Sequence, residues 1–300
     1  MRIVLTGSSG RLGRHLAAAL RADGHGVTGI DPVAGPETTI TGSIASRAVV
    51  DRAFADGADA VVHCAALHQP DLRHAPMQAF IDVNVTGTLH VLEAARAAGC
   101  AHIVLASSTS LMIDGALSAG QRDMAVFLDE ASGPLAPRNI YGTTKLAAEN
   151  MARLFADAET TVTALRLSRF FAGDDAEGPI AGDNLKAVEL LHRRLTIADA
   201  VGACQAAIGR GGGGFATYLA SAPTPFARDE AADLTRDAAA VIARHFPEAP
   251  ALFAARGWQL PQRIDRVYDA GLITREIGFR CQTDFAALLG DLRRGAVPQF

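Results

Sequence analysis

Short apolar runs and amphipathic stretches alternate through the first half of the chain. Ile3–Thr6, Gly26–Ile30, Ala60–His63, His102–Ala106 and Thr161–Leu167 are apolar runs of strand length. Between them, Leu12–Ala22, Ala45–Asp56, Gln78–Ala98 and Ile140–Ala156 read as helices with one apolar face. Strands alternating with helices of this length predict βαβ units: a Rossmann-type, doubly wound parallel sheet with helices on both faces. Residues 111–138, rich in Gly, Pro and Asp, predict a long irregular connection. Beyond Arg166 the regularity weakens. Leu185–Arg193 and Ile197–Ile208 read as helices, and Ala216–Ser221 as a further strand of the sheet. Helical stretches between 223 and 300 are broken by Pro247, Pro250, Gly257, Pro261 and Gly271. The expected organisation is a Rossmann domain of residues 1–166 plus about 195–222. A small, mostly helical substrate-binding domain of about 167–194 plus 223–300 completes it.

Composition narrows the class. Apolar residues make up 49% of 300, enough for a substantial core. Net charge is −4, from 28 basic and 32 acidic residues, with no basic stripe to suggest a nucleic-acid partner. Cys64, Cys100, Cys204 and Cys281 lie far apart and form no Cys-x-x-Cys, so buried reduced thiols are expected. Residues 1–6 lead directly into a glycine turn and are too short for a signal-peptide core. No run of about 20 apolar residues predicts a membrane span. A soluble cytoplasmic protein follows as the expectation, without nucleic-acid or membrane partners.

Gly7-Ser-Ser-Gly10-Arg-Leu-Gly13 joins the first strand to the first helix. Glycines there permit a tight turn and a close backbone approach to a pyrophosphate, which the N–H groups of the helix start then face. Asp31 ends the second strand about 20 residues on, where a carboxylate accepts from the adenosine ribose hydroxyls and repels a 2′-phosphate. NAD is therefore expected over NADP. Gly211–Gly214 has no Lys-Ser/Thr and precedes a strand, so it reads as a flexible turn.

Ser107-Ser108-Thr109-Ser110 leaves the carboxyl end of a strand, where hydroxyls face the ligand crevice of such a sheet. Tyr141 and Lys145 stand four residues apart on one helix face. An ammonium beside a phenol favours phenolate, and the expectation is a tyrosine pKa below its reference near 10. The spacing also occurs by chance in many helices, so its weight comes from what precedes it. His63, His68 and His74, with Asp71, have spacings of five and six that match neither a helix face nor a usual zinc pattern, and no metal is expected. His68 is a candidate substrate contact, or a solvated loop histidine. Arg169, Lys186, Arg193 and Arg194 could bind an anionic substrate, or form a solvated helix face.

These motifs occur in the order Gly7-x-x-Gly10-x-x-Gly13, Asp31, His63-Cys-Ala-Ala66, Asn84-Val-Thr-Gly-Thr88, Ser107-Ser-Thr109, Tyr141-x-x-x-Lys145, Arg166. The order resembles the extended short-chain dehydrogenase/reductases, the NAD-dependent epimerase/dehydratase family, over residues 1–205. Asp265–Asp269 and Ile277–Phe279 resemble the family's C-terminal segment. The resemblance implies Tyr141 as general acid/base, with Lys145 lowering its pKa and binding the nicotinamide ribose. It implies Thr109 on the substrate oxygen; the reading of the residues themselves adds Ser108, His68 and Arg169 as candidate substrate contacts. The implied NAD cradle is Gly7, Ser9, Gly10, Arg11, Leu12, Gly13, Asp31, Ile44, Cys64, Ala65, Ala66, Asn84 and Ser107, together with Tyr141 and Lys145. Helices 78–98 and 140–156 resemble the family's dimer-forming pair, implying a homodimer.

Departures narrow the chemistry. The family's dehydratases and decarboxylases carry acidic residues just after the threonine, where this chain has Ser110 and Leu111. Neither moves a proton as a carboxylate does, which disfavours elimination and decarboxylation. Ser43 stands where many members place an aspartate near the adenine. Only the 27 residues 167–193 separate Arg166 from Arg194. That short form is similar to uronate dehydrogenases, which take a sugar with no nucleotide attached. The expected activity is NAD-dependent hydride transfer between the nicotinamide and a hydroxyl or carbonyl of a sugar or sugar-like compound, a small polyol or sugar acid first. The alternatives are epimerisation with transient NAD reduction and, less favoured, a non-catalytic NAD-sensing regulator.

Overall fold

The computed structural model describes residues 1–120, 122–170, 180–298 and 300. In chain order its elements begin with β1 (Arg2–Thr6), α1 (Arg11–Ala22), β2 (Gly26–Asp31), β3 (Ile40–Thr41), α2 (Arg47–Phe54) and β4 (Ala60–His63). Next come α3 (Met77–Phe80), a π-helical turn (Ile81–Gly87), α4 (Thr88–Ala97) and β5 (His102–Ser108). They are followed by α5 (Gly115–Ser118), β6 (Val126–Leu128), α6 (Ile140–Arg153), β7 (Thr161–Leu167), α7 (Gly182–Glu189), α8 (Ile197–Ile208) and β8 (Gly214–Ala220). Then follow α9 (Ala231–Arg236), α10 (Ala238–His245), α11 (Ala249–Ala254), β9 (Arg266–Tyr268), α12 (Gly271–Ile277) and α13 (Phe285–Arg293).

Seven strands form one sheet in the order β3-β2-β1-β4-β5-β7-β8. The pairings β1–β2, β1–β4, β2–β3 and β4–β5 are all parallel. Strand order reverses between β1 and β4, so connections from these strands leave toward opposite sides and a crevice opens beyond their carboxyl ends. This is the Rossmann-type sheet that the alternating pattern predicts, and the expected strand Ala216–Ser221 falls, up to Ala220, in its edge strand β8 (Gly214–Ala220).

The chain divides into two compact units. The first comprises Met1–Ile113, Leu135–Arg166 and Ala200–Tyr218, and the second comprises Asp114–Pro134, Leu167–Asp199 and Leu219–Phe300. The first unit packs Val4, Ile30, Val61, Ile103 and Leu105 of the strands against Val50, Val91, Ala148 and Ala152 of the helices. Helix α1 shows the local logic. Leu12, Leu16, Ala17 and Leu20 are buried at helical spacing, while Arg14, His15 and Arg21 stay exposed. The second unit has its own core of Leu190, Leu191, Leu234, Ile242, Phe253 and Phe285, with β6 and β9 paired in parallel. The expected irregular stretch 111–138 thus contains α5 and β6. The expected single helix 78–98 holds a π turn between two α segments.

Candidate active site

Thr6 ends β1 and Gly7 turns the chain with φ at +74°. A side chain on Gly7 would place its Cβ 2.8 Å from Ala65 N, so only glycine allows the turn to lie against the segment after β4. A Cβ on Gly13 would collide with the Gly7 carbonyl oxygen. Gly10 N donates to Gly7 O at 3.0 Å, closing the turn. Helix α1 begins with Gly10 as its N-cap, has no side-chain cap and has no acidic residue in its first turn. Among the described residues the backbone N–H groups of Arg11, Leu12 and Gly13 have no backbone acceptor. An uncapped helix start of this kind is suited to an anion.

Asp31, buried at the end of β2, steadies the same turn. Its Oδ2 accepts from Ser9 N at 3.0 Å and its Oδ1 from Val33 N at 2.8 Å. Each oxygen keeps a lone pair, as a ribose-binding carboxylate requires. Ser9 Oγ donates to Val33 O at 2.8 Å. Ile44 is buried against the π turn: a Cβ on Gly87 would fall 2.7 Å from Ile44 Cγ1. Cys64 is buried, and its thiol is pushed up to about 12 by burial, so it is an inert apolar group. Ala65 and Ala66 are half-buried beside it.

Asn84 lies in the π turn and is buried. Its Oδ1 accepts from Leu67 N at 2.7 Å, and its Nδ2 donates to Leu67 O at 3.0 Å and to Thr144 Oγ1 at 3.0 Å. Thr144 Oγ1 in turn donates to Tyr141 O at 3.0 Å. The amide therefore joins the loop after β4 to the helix that carries the tyrosine.

That helix, α6, starts at Asn139, whose side chain accepts from Gly142 N at 2.9 Å. Its buried face holds Tyr141, Thr144, Lys145, Ala148, Glu149 and Ala152. Three of these carry ionisable groups on an inner face, which a purely structural helix avoids. Lys145 Nζ donates to Ala106 O at 2.8 Å. Burial lowers its ammonium to about 8, opposed by Cys64 and Glu149. Tyr141 goes against expectation. Burial pushes its phenol up to about 12, and the Ser108 side chain only partly opposes this by hydrogen bonding. Lys145 does not pull the phenol down, because its ammonium is directed at the Ala106 carbonyl and desolvation of the phenolate dominates.

Around the phenol, β5 delivers Ser107 and Ser108, and Thr109 opens a single 3₁₀ turn, Thr109–Met112. Ser108 Oγ accepts from Ser110 N at 3.1 Å, which shapes the turn. Thr109 is buried, and its hydroxyl makes no hydrogen bond among the described residues. The His68 ring lies 6.0 Å from the Tyr141 ring, centroid to centroid, inclined by 44°. Its backbone N donates to Asp71 Oδ2 at 2.6 Å. Burial and the Lys145 charge hold its imidazole down at about 4, so it faces the phenol as a neutral ring.

Ser107 is committed elsewhere. Its Oγ donates to Glu149 Oε1 at 2.6 Å. The same carboxylate accepts from Arg166 Nε at 3.1 Å and Arg166 Nη2 at 2.9 Å. This buried ion pair under the site is the feature that sequence reading missed. The signal was present: Tyr141, Lys145 and Glu149 recur every four residues on one face. Arg169 belongs to the second unit. There it joins Arg193 and Arg194 on the fully buried Glu189 carboxylate, at 2.9, 3.1 and 2.9 Å. Lys186 pairs with Asp183 at 2.8 Å. Three of the four cations considered for an anionic substrate therefore share one internal carboxylate.

The sequence that carries these elements is matched by a family model. The NAD dependent epimerase/dehydratase family aligns with residues 3–187. The chain belongs to this family. It is 30% identical over 162 residues to a uronate dehydrogenase of Pseudomonas putida, covering 52% of this chain and 56% of that protein. It is 29% identical over 178 residues to a probable UDP-glucuronate 4-epimerase of Rhizobium meliloti, covering 52% of this chain and 49% of that protein. The chain thus spans about half the length of these relatives. Its fold is shared with a short-chain dehydrogenase/reductase superfamily protein of Agrobacterium tumefaciens solved with bound NAD. The TM-score is 0.69 at 22% identity, over 98% of both chains.

Proposed function

We propose that this family member is an NAD-dependent oxidoreductase acting on a hydroxyl of a small sugar or sugar acid. The observation that carries the reading is the buried meeting of Tyr141, Ser108, Thr109 and Lys145 beside a glycine turn with free helix N–H groups. NAD, when bound, supplies the hydride acceptor. The chain's residues fit it: Arg11, Leu12 and Gly13 offer N–H groups to a pyrophosphate, and Asp31 offers acceptors to a ribose. Asp31 would also repel a 2′-phosphate, which supports NAD over NADP.

On the protein side, the substrate oxygen is held by the hydroxyls of Ser108 and Thr109. Tyr141 exchanges the substrate proton in both directions, because it is the group at this position that can carry one. Lys145, one helical turn away, is the cation available to stabilise its phenolate. His68 offers a neutral edge to a polar substrate. Ser110 and Leu111 supply no carboxylate, so elimination has no second proton carrier there. Epimerisation uses the same residues, and the relatives include both types of enzyme. Under both readings the protein works in the cytoplasm as a homodimer. Met77, Ile81 and Leu89, exposed at 71%, 37% and 37% along α3, the π turn and α4, support that assembly.

A panel of aldoses and uronic acids incubated with NAD and protein tests this directly. Net NADH absorbance supports dehydrogenation, and a new stereoisomer without net NADH supports epimerisation. Neither product over the whole panel would overturn the proposal.

A further inference from the structure

His63 is buried at the end of β4 and takes no part in the chemistry described above. Its ring lies between two hydroxyls: Nδ1 is 2.6 Å from Thr6 Oγ1, and Nε2 is 2.9 Å from Thr88 Oγ1. Counting protons fixes the direction of each bond. Thr88 Oγ1 lies 2.6 Å from the Asn84 carbonyl, which can only accept, so the single Thr88 hydroxyl proton is used there. Thr88 can then only accept from the imidazole, and Nε2 must carry hydrogen. On the other side Ala65 N donates to Thr6 Oγ1 at 3.1 Å, leaving the Thr6 proton for Nδ1. A bare Nδ1 satisfies every atom in the row. The result is a one-way chain: Ala65 N–H to Thr6, Thr6 to Nδ1, Nε2–H to Thr88, Thr88 to the Asn84 carbonyl. Bonds aligned in this way polarise one another.

We infer that His63 is a tautomer-locked positioning residue, which ties the glycine turn after β1 to the π turn that carries Asn84. The role rests on the reading of Tyr141 as the proton carrier, because Asn84 passes the constraint on. Its side chain holds Leu67 and, through Thr144, the Tyr141 carbonyl. The π turn explains why such a strut is needed. A π-helical segment is less stable than an α segment, and its carbonyls are displaced from α-helical partners. The Thr88 hydroxyl caps one of them. The imidazole is also kept neutral. Burial holds it at about 3, reinforced by the Lys145 charge. A second cation here would face a low-dielectric interior.

The test is long-range proton–nitrogen NMR on protein labelled at histidine, with His63→Gln used to assign the signal among the 9 histidines. The expected result is a neutral ring carrying hydrogen on Nε2, unchanged from pH 5 to 8. An Nδ1–H tautomer, or titration within that range, overturns the lock whether or not the protein is an oxidoreductase. A second arm reads position. Thr88→Val removes the acceptor at Nε2, and Thr88→Ser keeps it. In Thr88→Val the tautomer signal is expected to split between the Nε2–H and Nδ1–H forms, and kcat to fall about tenfold. Thr88→Ser should restore the signal and most of kcat. If Thr88→Val keeps both the lock and kcat, or if Ser and Val lose kcat alike, the positioning role is wrong.

Discussion

Replacing Glu149 with alanine tests whether the floor of the site is an ion pair held away from water. Both partners are buried, with side-chain exposures of 4% for Glu149 and 7% for Arg166. The carboxylate receives the Ser107 hydroxyl at 2.6 Å and two guanidinium nitrogens. Removing one member of such a pair leaves a charge in a poorly solvated place, at a typical cost of about 3–5 kcal/mol. Ser107 loses its acceptor as well, which adds about 1 kcal/mol. In a domain of this size the loss of the ion pair alone corresponds to a fall in melting temperature of roughly 6–20 °C. Urea unfolding followed by far-ultraviolet circular dichroism measures the loss. The double variant Glu149→Leu with Arg166→Met should regain most of it, because two apolar groups of similar volume leave no charge behind. A loss below about 1 kcal/mol in Glu149→Ala would refute the reasoning, since it would mean that water already reaches the pair.

Three further outcomes follow from the site's electrostatics. The ligand-free protein should show no phenolate absorbance assignable to Tyr141, by difference from Tyr141→Phe, until well above pH 10, because burial holds its phenol near 12; titration near pH 7 would contradict this. Lys145 is depressed to about 8. Between that value and its unfolded value near 10.4, the unfolded chain holds the proton and the folded one does not, so stability should rise with pH across this window by about 3 kcal/mol. Below pH 8 the gain is absent, and Lys145→Met should lack the slope when urea midpoints are compared at pH 7.5 and 9.5. Calorimetry should find NAD bound at least about tenfold tighter than NADP, a difference of about 1.4 kcal/mol, and Asp31→Ser should narrow it. An unchanged preference in that variant would remove Asp31 from cofactor selection.

Much of the fold and site is readable from residue order because the governing constraints are local. The Gly7 turn needs a positive φ and a close approach to Ala65, and both requirements mark glycine in the sequence. The strands β1, β4 and β7 are buried throughout or nearly so, and read as unbroken apolar runs. What escapes depends on contacts between distant residues. The π turn at Ile81–Gly87 adds a residue to a turn, which a 3.6-residue periodicity over 78–98 does not register. β3 has two residues, and β6 and β9 have three each, too short for a strand pattern. The Glu149–Arg166 pair links α6 to β7, and only folding brings it together. The direction of the Tyr141 shift is hidden because the four-residue spacing shows only which charge is near. It shows neither how dry the phenol is nor that the Lys145 ammonium is turned to Ala106. Arg169, Arg193 and Arg194 have the sequence pattern of an open cationic patch, yet Glu189 stands among them as a shared partner.

The central claim is that Tyr141 carries the proton while NAD accepts the hydride. The direct measurement compares wild type and Tyr141→Phe for NAD affinity by calorimetry and for NADH formation with a sugar whose hydroxyl the wild type oxidises. The account predicts affinity within about twofold and a rate lowered by roughly 10²–10⁴. A Tyr141→Phe protein that turns over at the wild-type rate would contradict it.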